Sequence, residues 1–349
     1  MTTPVVSVIM AAYNGAAFLP ETIASLQAQT FADFEVLIVD DCSTDDTRNV
    51  LRAIQDPRFR IIESPVNQGP VRTRNCAVTH ARGRYLAGLD QDDLCLPERF
   101  AAQVAYLEAH PDTVVLGTAA AYLDDGVVSP PTRTGHTTPA LIEWLMLIEN
   151  PLVWSSVMVR AAAASDPFTD PQRLYAEDFD LYHRMARQGR VARLDTPLVV
   201  YRRHAGGASQ RYADTMCASA AIVLADAYRA PFGDEAQEMA DLIVRHMMHD
   251  VPVPDGATLL RLGQALARLQ AHFFETHDVD IESRRLIRWE TARRWGLASR
   301  YALRRGTIGL QDAVAARPDH LGLGHNGFDD LVMSRLLGRA RVARRRYRR

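Results

Sequence analysis

Gly83-Arg84-Tyr85-Leu86-Ala87-Gly88-Leu89-Asp90-Gln91-Asp92-Asp93 is a short apolar run that stops abruptly at three carboxylates. Read as a strand, it carries Asp90 and Asp92 to its C-terminal tip, the end at which open α/β sheets bind ligands. Carboxylates packed this closely repel one another unless a cation lies among them. Oxygen ligands of this kind suit Mg²⁺ or Mn²⁺, above all where a substrate's phosphates complete the shell. Asp is also common in a solvated turn after a strand, so the D-x-D draws its weight from its surroundings.

Those surroundings alternate apolar runs with amphipathic stretches. Val5–Ala12, Phe34–Val39, Arg60–Glu63, Tyr85–Leu89 and Val114–Ala120 read as strands. Phe18–Gln29, Asp45–Ile54, Val71–His80 and Pro97–Ala109 read as helices, with Ser43 or Thr44 as a cap and Pro97 as a start signal. This βαβα rhythm predicts an α/β fold, a Rossmann-like and mostly parallel sheet with helices on both faces. The pattern loosens over 122–172, where Asp124-Asp125-Gly126 marks a turn, Leu141–Ile148 a helix and Val153–Val159 a strand. Phe179–Gln188 reads as a helix stopped by Gly189, and Val191–Tyr201 as an extended segment. Beyond about 212 only helices remain, over Thr215–Tyr228, Ala236–His249, Ala257–Phe274 and Ile281–Leu303.

The composition sets limits on the chemistry. With 349 residues, 47% hydrophobic and 23% charged, the chain has the make-up of a soluble globular protein of one large core or two domains. No apolar run approaches a membrane span and no signal-peptide pattern opens the chain, so a cytoplasmic location is expected. Cys42, Cys76, Cys95 and Cys217 form no C-x-x-C pair, which points to free thiols. All 40 basic residues are arginine. The absence of lysine excludes a Walker A lysine, a kinase strand lysine and a Schiff-base lysine. The net charge is −2, yet residues 335–349 hold eight arginines and no acid. That tail suits an anionic lipid surface or remains a solvated extension. Without interleaved aromatics it does not suit nucleic acid.

Two other strand tips carry candidate chemistry. Ala11-Ala12-Tyr13-Asn14-Gly15 offers an aromatic ring that could stack on a nucleobase or pack on the sheet end. Val39-Asp40-Asp41-Cys42-Ser43 offers a second acidic tip; helix-dipole preference accounts for Asp45 and Asp46 better than for Asp40 and Asp41. Arg72 and Arg74, in the first turn of a helix, oppose its dipole and make sense facing a diphosphate or the acidic cluster.

In this order and spacing, Ser7–Asn14, Val39–Ser43, Arg74-Asn75 and Gly83–Asp93 resemble the family 2 glycosyltransferases, nucleotide-sugar enzymes of the GT-A fold. Tyr175-Ala176-Glu177-Asp178-Phe179-Asp180-Leu181 resembles the family's E-D motif, and Tyr201-Arg202-Arg203-His204 with Ser209 its late Y-R-x-H segment. The likeness spans roughly residues 5–212. It implies a glycosyltransferase domain over 1–212, with a nucleotide-sugar half to about 120 and an acceptor half after it. A helical region over 213–334 and the tail 335–349 follow. It further implies donor binding by Ala12, Tyr13, Asn14, Asp41, Arg74 and Asp90, with Tyr13 on the base and Arg74 near the diphosphate. Asp92 and His204 would hold Mn²⁺ or Mg²⁺. Asp178 would be the general base of a single, inverting displacement, with Glu177, Asp93 and Trp154 in support. The donor is expected to be a UDP-sugar and the acceptor a glycan or glycolipid of bacterial cell-surface synthesis, with peripheral membrane contact through the tail.

One family feature is altered. Processive members carry Q-x-x-R-W beside membrane helices; here Arg285-Leu286-Ile287-Arg288-Trp289 has Arg for Gln, so a non-processive enzyme is expected. No Gly-rich basic loop for a nucleotidyltransferase and no G-x-G-x-x-G for a dehydrogenase follows a strand. The competing reading is a non-catalytic nucleotide-sugar-binding or partner-binding protein on the same fold.

Overall fold

The computed structural model describes residues 3–131, 135–204, 206–207, 211–317, 331 and 333–337. Ser209 and residues 338–349 of the arginine-rich tail lie outside them. The chain divides into two compact units, one of residues 1–143 and 150–219, the other of 144–149 and 220–349.

The first unit is built on one sheet. Its strands are β1 (Val6–Ala12), β2 (Phe34–Asp40), β3 (Phe59–Glu63), β4 (Tyr85–Gly88), β5 (Leu94–Cys95), β6 (Thr113–Asp124), β7 (Val127–Ser129), β8 (Met158–Arg160) and β9 (Arg190–Arg203). They lie in the order β3-β2-β1-β4-β8-β6-β9-β5, with β7 beside β6. β3, β2, β1 and β4 are parallel, and β1, β2 and β4 are buried throughout most of their length. Antiparallel β8 then makes the sheet mixed, and β6 and β9 resume a parallel pair. Helices α1 (Leu19–Gln27) and α4 (Arg99–Ala109) bury Leu19, Ile23, Leu26, Phe100 and Leu107 against Val8, Met10, Val36 and Ile38. Helix α3 (Pro70–Thr79) packs on β1 and β2 through the residues of the opposite face, so both faces are covered.

Register brings the chemistry to one edge. Ala12 pairs with Asp40 and Asp40 with Glu63, so β1, β2 and β3 end side by side. The expected turn at Asp124-Asp125-Gly126 is a tight hairpin between β6 and β7, with Asp125 at φ 46° and Gly126 at φ 81°, the left-handed pair that such a turn demands.

Three local expectations change. Helix α2 (Thr47–Arg52) begins later than the sequence suggested, and neither Ser43 nor Thr44 caps it. Ser43 Oγ instead accepts from the Asn14 N–H at 3.0 Å, while Asp45 accepts from the Thr47 N–H at 3.0 Å. Residues 153–159 are not one strand: Trp154–Ser156 forms a 3₁₀ turn before β8, because the Ser156 hydroxyl folds back to the Val153 carbonyl. Helix α5 (Pro139–Met146) precedes that turn and α6 (Glu177–Met185) follows it. Gly189 lies beyond the end of α6; a Cβ there would stand 2.4 Å from the Asp112 carbonyl, so this glycine permits close backbone passage.

The second unit is helical. Helix α7 (Ala213–Phe232) leads into it, followed by α8 (Ala236–Ile243), α9 (Gly256–Thr276), α10 (Ile281–Arg305) and α11 (Leu310–Ala315). Asp255 and Asp280 cap α9 and α10 by accepting from Thr258 and Ser283 N–H groups. Gly306, at φ 78°, closes α10. Leu262, Leu266, Leu269, Phe273, Ile287 and Leu303 are buried, and Trp144 meets Phe273 edge-on at 5.7 Å. Arg294 is buried and grips Glu149 with bonds of 2.6 and 2.9 Å and Glu290 with one of 2.8 Å. The Arg285-Leu286-Ile287-Arg288-Trp289 stretch lies within α10, with Ile287 inward and Arg285, Arg288 and Trp289 outward. No helix among the described residues is long and apolar enough to cross a membrane.

Candidate active site

At the tip of β1, Ala12 is buried and Tyr13 is 45% exposed, leaving its ring face available. Gln91 holds Tyr13 as a neighbouring strand would. Its Oε1 accepts from the Tyr13 N–H at 2.9 Å and its Nε2 donates to the Tyr13 carbonyl at 3.0 Å. Asn14 adopts φ 48° and accepts from the Thr44 N–H at 2.8 Å, locking the β1 and β2 tips together. Asp41 is buried, and its two oxygens accept from the N–H groups of Gln68 and Gly69, each at 2.8 Å. It therefore fixes the turn that launches α3, and with it Arg74. A base N–H would bond a remaining lone pair of the same carboxylate.

Arg74 joins the two halves of the site. Its guanidinium donates to Asp90 at 2.8 Å through Nη2 and to Glu177 through Nη1, and its carbon lies 5.0 Å from the centre of the Trp154 ring. Burial opposes its charge, but Asp90 and Glu177 hold it more firmly protonated than an ordinary guanidinium. Trp154 reaches this place because residue 88 is glycine: a Cβ there would stand 2.6 Å from the indole. The Asp90 N–H donates to Ser155 Oγ at 2.9 Å, so the 3₁₀ turn also anchors the strand tip.

Asp92 and His204 meet although 112 positions separate them: His204 Nε2 lies 2.8 Å from Asp92 Oδ2. The β5–β9 ladder pairs Leu94 with Val200, and Asp93 completes the alignment by accepting from the Arg202 N–H at 2.8 Å. Arg202 Nε in turn donates to the Asp92 carbonyl at 2.9 Å. Burial, then the neighbouring Asp90, pushes Asp92 above the usual carboxylate range, while His204 pulls it down. Asp93 is pushed further by the same kind of burial and by both neighbours, and its Oδ2 is buried without a partner. Among the described residues, no group of three or more His, Cys, Asp or Glu side chains is gathered as a ready metal cage.

Asp178 stands in the first turn of α6. Oδ1 accepts from the Phe179 N–H at 2.7 Å and Oδ2 from Asn150 Nδ2 at 3.0 Å. Burial and the adjacent Glu177 raise its carboxyl to about 7, against the pull of Arg74, the Phe179 N–H and Asn150. A carboxyl so placed is half ionised near neutrality, the condition that general base catalysis requires. Glu177 keeps one buried oxygen, Oε2, without a partner.

The site residues thus fall into a group on the β1 and β2 tips, a carboxylate–imidazole pair, and an Arg74-linked group ending at Asp178. Residues 7–162 match the family described as Glycosyl transferase family 2. The UDP-Glc:alpha-D-GlcNAc-diphosphoundecaprenol beta-1,3-glucosyltransferase WfaP of Escherichia coli is 31% identical over 211 residues, 58% of this chain and 79% of that protein. The chain belongs to glycosyl transferase family 2. The putative glycosyltransferase EpsE of Bacillus subtilis is 33% identical over 193 residues, 53% of this chain and 68% of that one. The GT-A fold is shared with S. aureus TarS, whose structure with UDP-GlcNAc superposes with a TM-score of 0.54 at 18% identity, covering 96% of this chain and 91% of that one.

Sequence reasoning did not reach Gln91, Asn150, Ser155 and Arg202. Gln91 and Arg202 lay inside motifs already singled out. Asn150 and Ser155 sit in a stretch with no periodicity, and only the fold brings them to Asp178 and Asp90.

Proposed function

We propose that this family 2 glycosyltransferase moves one sugar from a nucleoside diphosphate, UDP by preference, to an acceptor hydroxyl with inversion. The observation that carries this reading is Asp178: a carboxyl raised to about 7 at the start of α6, linked through Glu177 and Arg74 to the Asp90 strand tip. Tyr13 would stack on the base, with Ala12 and Asn14 shaping its seat and Asp41 accepting from it. Arg74 and Asp90 would flank the diphosphate and ribose, and Trp154 would wall the sugar. Asp178 would take the proton of the acceptor hydroxyl at a carboxylate oxygen as that hydroxyl attacks the anomeric carbon from the face opposite the leaving diphosphate. One base then suffices and the configuration inverts.

The donor set suits a divalent cation. Asp92 and His204 present one oxygen and one nitrogen within a single contact distance, with the carboxyl groups of Asp90 and Asp93 beside Asp92 in the chain. Asp92 and His204 would hold Mn²⁺ or Mg²⁺, with diphosphate oxygens completing the shell. When bound, such an ion supplies charge stabilisation to the diphosphate leaving group.

The WfaP relative is named for a diphosphoundecaprenol-linked acceptor. A glycolipid or polysaccharide acceptor fits this chain too, since its arginine-rich end would bring the protein to an anionic bilayer from the cytoplasmic side. The test is thermal stabilisation and sugar release across UDP-glucose, UDP-GlcNAc and GDP-mannose, with Mn²⁺, Mg²⁺ or EDTA. A metal-dependent response to a UDP-sugar, lost in Asp92→Ala, is expected. A response equal in EDTA overturns the metal assignment, and binding without any transfer overturns the enzymatic one.

A further inference from the structure

We infer that Asn150 is a positioning residue for the base: its side-chain amide fixes the rotation of the Asp178 carboxylate and stabilises its ionised form. The inference rests on the reading of Asp178 as the base and adds a residue that no sequence motif marks. Asn150 Nδ2 donates to Asp178 Oδ2 at 3.0 Å. The orientation of this amide is fixed by its other end, since Asn150 Oδ1 accepts from the Leu152 N–H at 3.2 Å. A flipped amide would set its oxygen against the carboxylate and its NH₂ against a backbone N–H, losing both bonds.

The carboxylate is therefore held at two points, by Asn150 on one oxygen and by the Phe179 N–H on the other at 2.7 Å. Both are donors. A carboxylate offers about four lone-pair positions, so both oxygens keep acceptor capacity for an incoming hydroxyl proton while rotation about χ2 is blocked. The charged groups facing Asp178 are Glu177, which disfavours its ionisation, and Arg74, which favours it; the Tyr182 hydroxyl, one turn along α6, is buried without a partner. Among the side chains acting on Asp178, Arg74 already serves Glu177 and Asp90. Among the described residues, Asn150 is the side chain hydrogen-bonded directly to Asp178.

Removing the amide donor withdraws a hydrogen bond to a charged acceptor, which corresponds to a rise of roughly one pH unit in the midpoint. Replacing it with a carboxyl adds a second acid in contact and should raise the midpoint further. The measurement is a ¹³C-carboxyl titration of the full-length, Asp-labelled protein, with the Asp178 signal assigned through Asp178→Asn. Asn150→Ser and Asn150→Asp are compared with wild type, and the melting temperature of each reports its folding. The expected order of midpoints is wild type, Asn150→Ser, Asn150→Asp. An Asp178 midpoint unmoved in both folded variants overturns the inference; so does a variant in which the pH–rate profile keeps its acid limb while kcat alone falls. Retention of transfer in Asp178→Asn would overturn the base assignment itself, a separate result from either of these.

Discussion

At the scale of single residues, Asp178 links function to a cost in stability. Below about 4 its carboxyl is protonated in both the folded and the unfolded chain. Between there and about 7 the unfolded chain ionises while the folded one keeps its proton, so stability falls as pH rises through that window and the penalty is complete above it. Asn cannot ionise. Asp178→Asn should therefore melt above wild type at pH 8, with the gap closing towards pH 4.5, while transfer drops by about 10²–10⁴-fold. Thermal scans at the two pH values and initial rates check both halves. A variant less stable than wild type at pH 8 would mean that the carboxylate is well solvated and that its midpoint lies in the ordinary range. As the proposed base, the same carboxyl should set the pH–rate profile: it acts ionised, so kcat/KM should fall tenfold per unit below about pH 7 and level off above it.

At the scale of elements, the site depends on turns that hold strand tips. Gly88 ends β4 against the Trp154 indole, and a methyl group at that position would have to displace the ring or its own strand. Gly88→Ala should cost about 1–3 kcal/mol by overpacking and weaken UDP-sugar binding more than UDP binding, because Trp154 is assigned to the sugar. Calorimetric titration with the two ligands reads the difference; equal losses would place Trp154 elsewhere. The same elements show what sequence reading could and could not reach. The alternation of apolar strands with amphipathic helices announced a mostly parallel, doubly covered sheet, and the acidic strand tips stood out in the sequence. The Asp92–His204 contact was legible as a pair of motifs but not as geometry, since the ladder between β5 and β9 is only two residues long on one side. The 3₁₀ turn at Trp154–Ser156 was not legible at all. Val153, Trp154 and Val157 favour a strand by composition, and it is the Ser156 hydroxyl and the close approach of Gly88 that bend the chain. Likewise the clamp of Asp41 on the Gln68-Gly69 turn needed coordinates to see.

At the scale of the whole molecule, each unit sets a largely buried arginine–carboxylate pair within its apolar packing, Arg74–Glu177 in the sheet unit and Arg294–Glu290 in the helical one. Arg294 has two carboxylate partners, and removing it takes a buried guanidinium away from both Glu149 and Glu290. Arg294→Ala should cost about 3–5 kcal/mol, seen as a fall in melting temperature; an unchanged melt would show those carboxylates to be protonated or hydrated. We further propose that the arginine-rich end meets an anionic bilayer. Each arginine near an anionic bilayer contributes about 1 kcal/mol, screened within a Debye length of roughly 8 Å at physiological salt. The full chain should then float with vesicles containing phosphatidylglycerol at 50 mM salt, dissociate at 500 mM, and ignore pure phosphatidylcholine. A chain ending at Leu337 loses seven of the eight arginines and should stay in solution under all three conditions while keeping its UDP-sugar response. Flotation of that shortened chain would move the membrane contact to another surface of the protein, and binding to neutral vesicles would replace charge with apolar insertion as its cause.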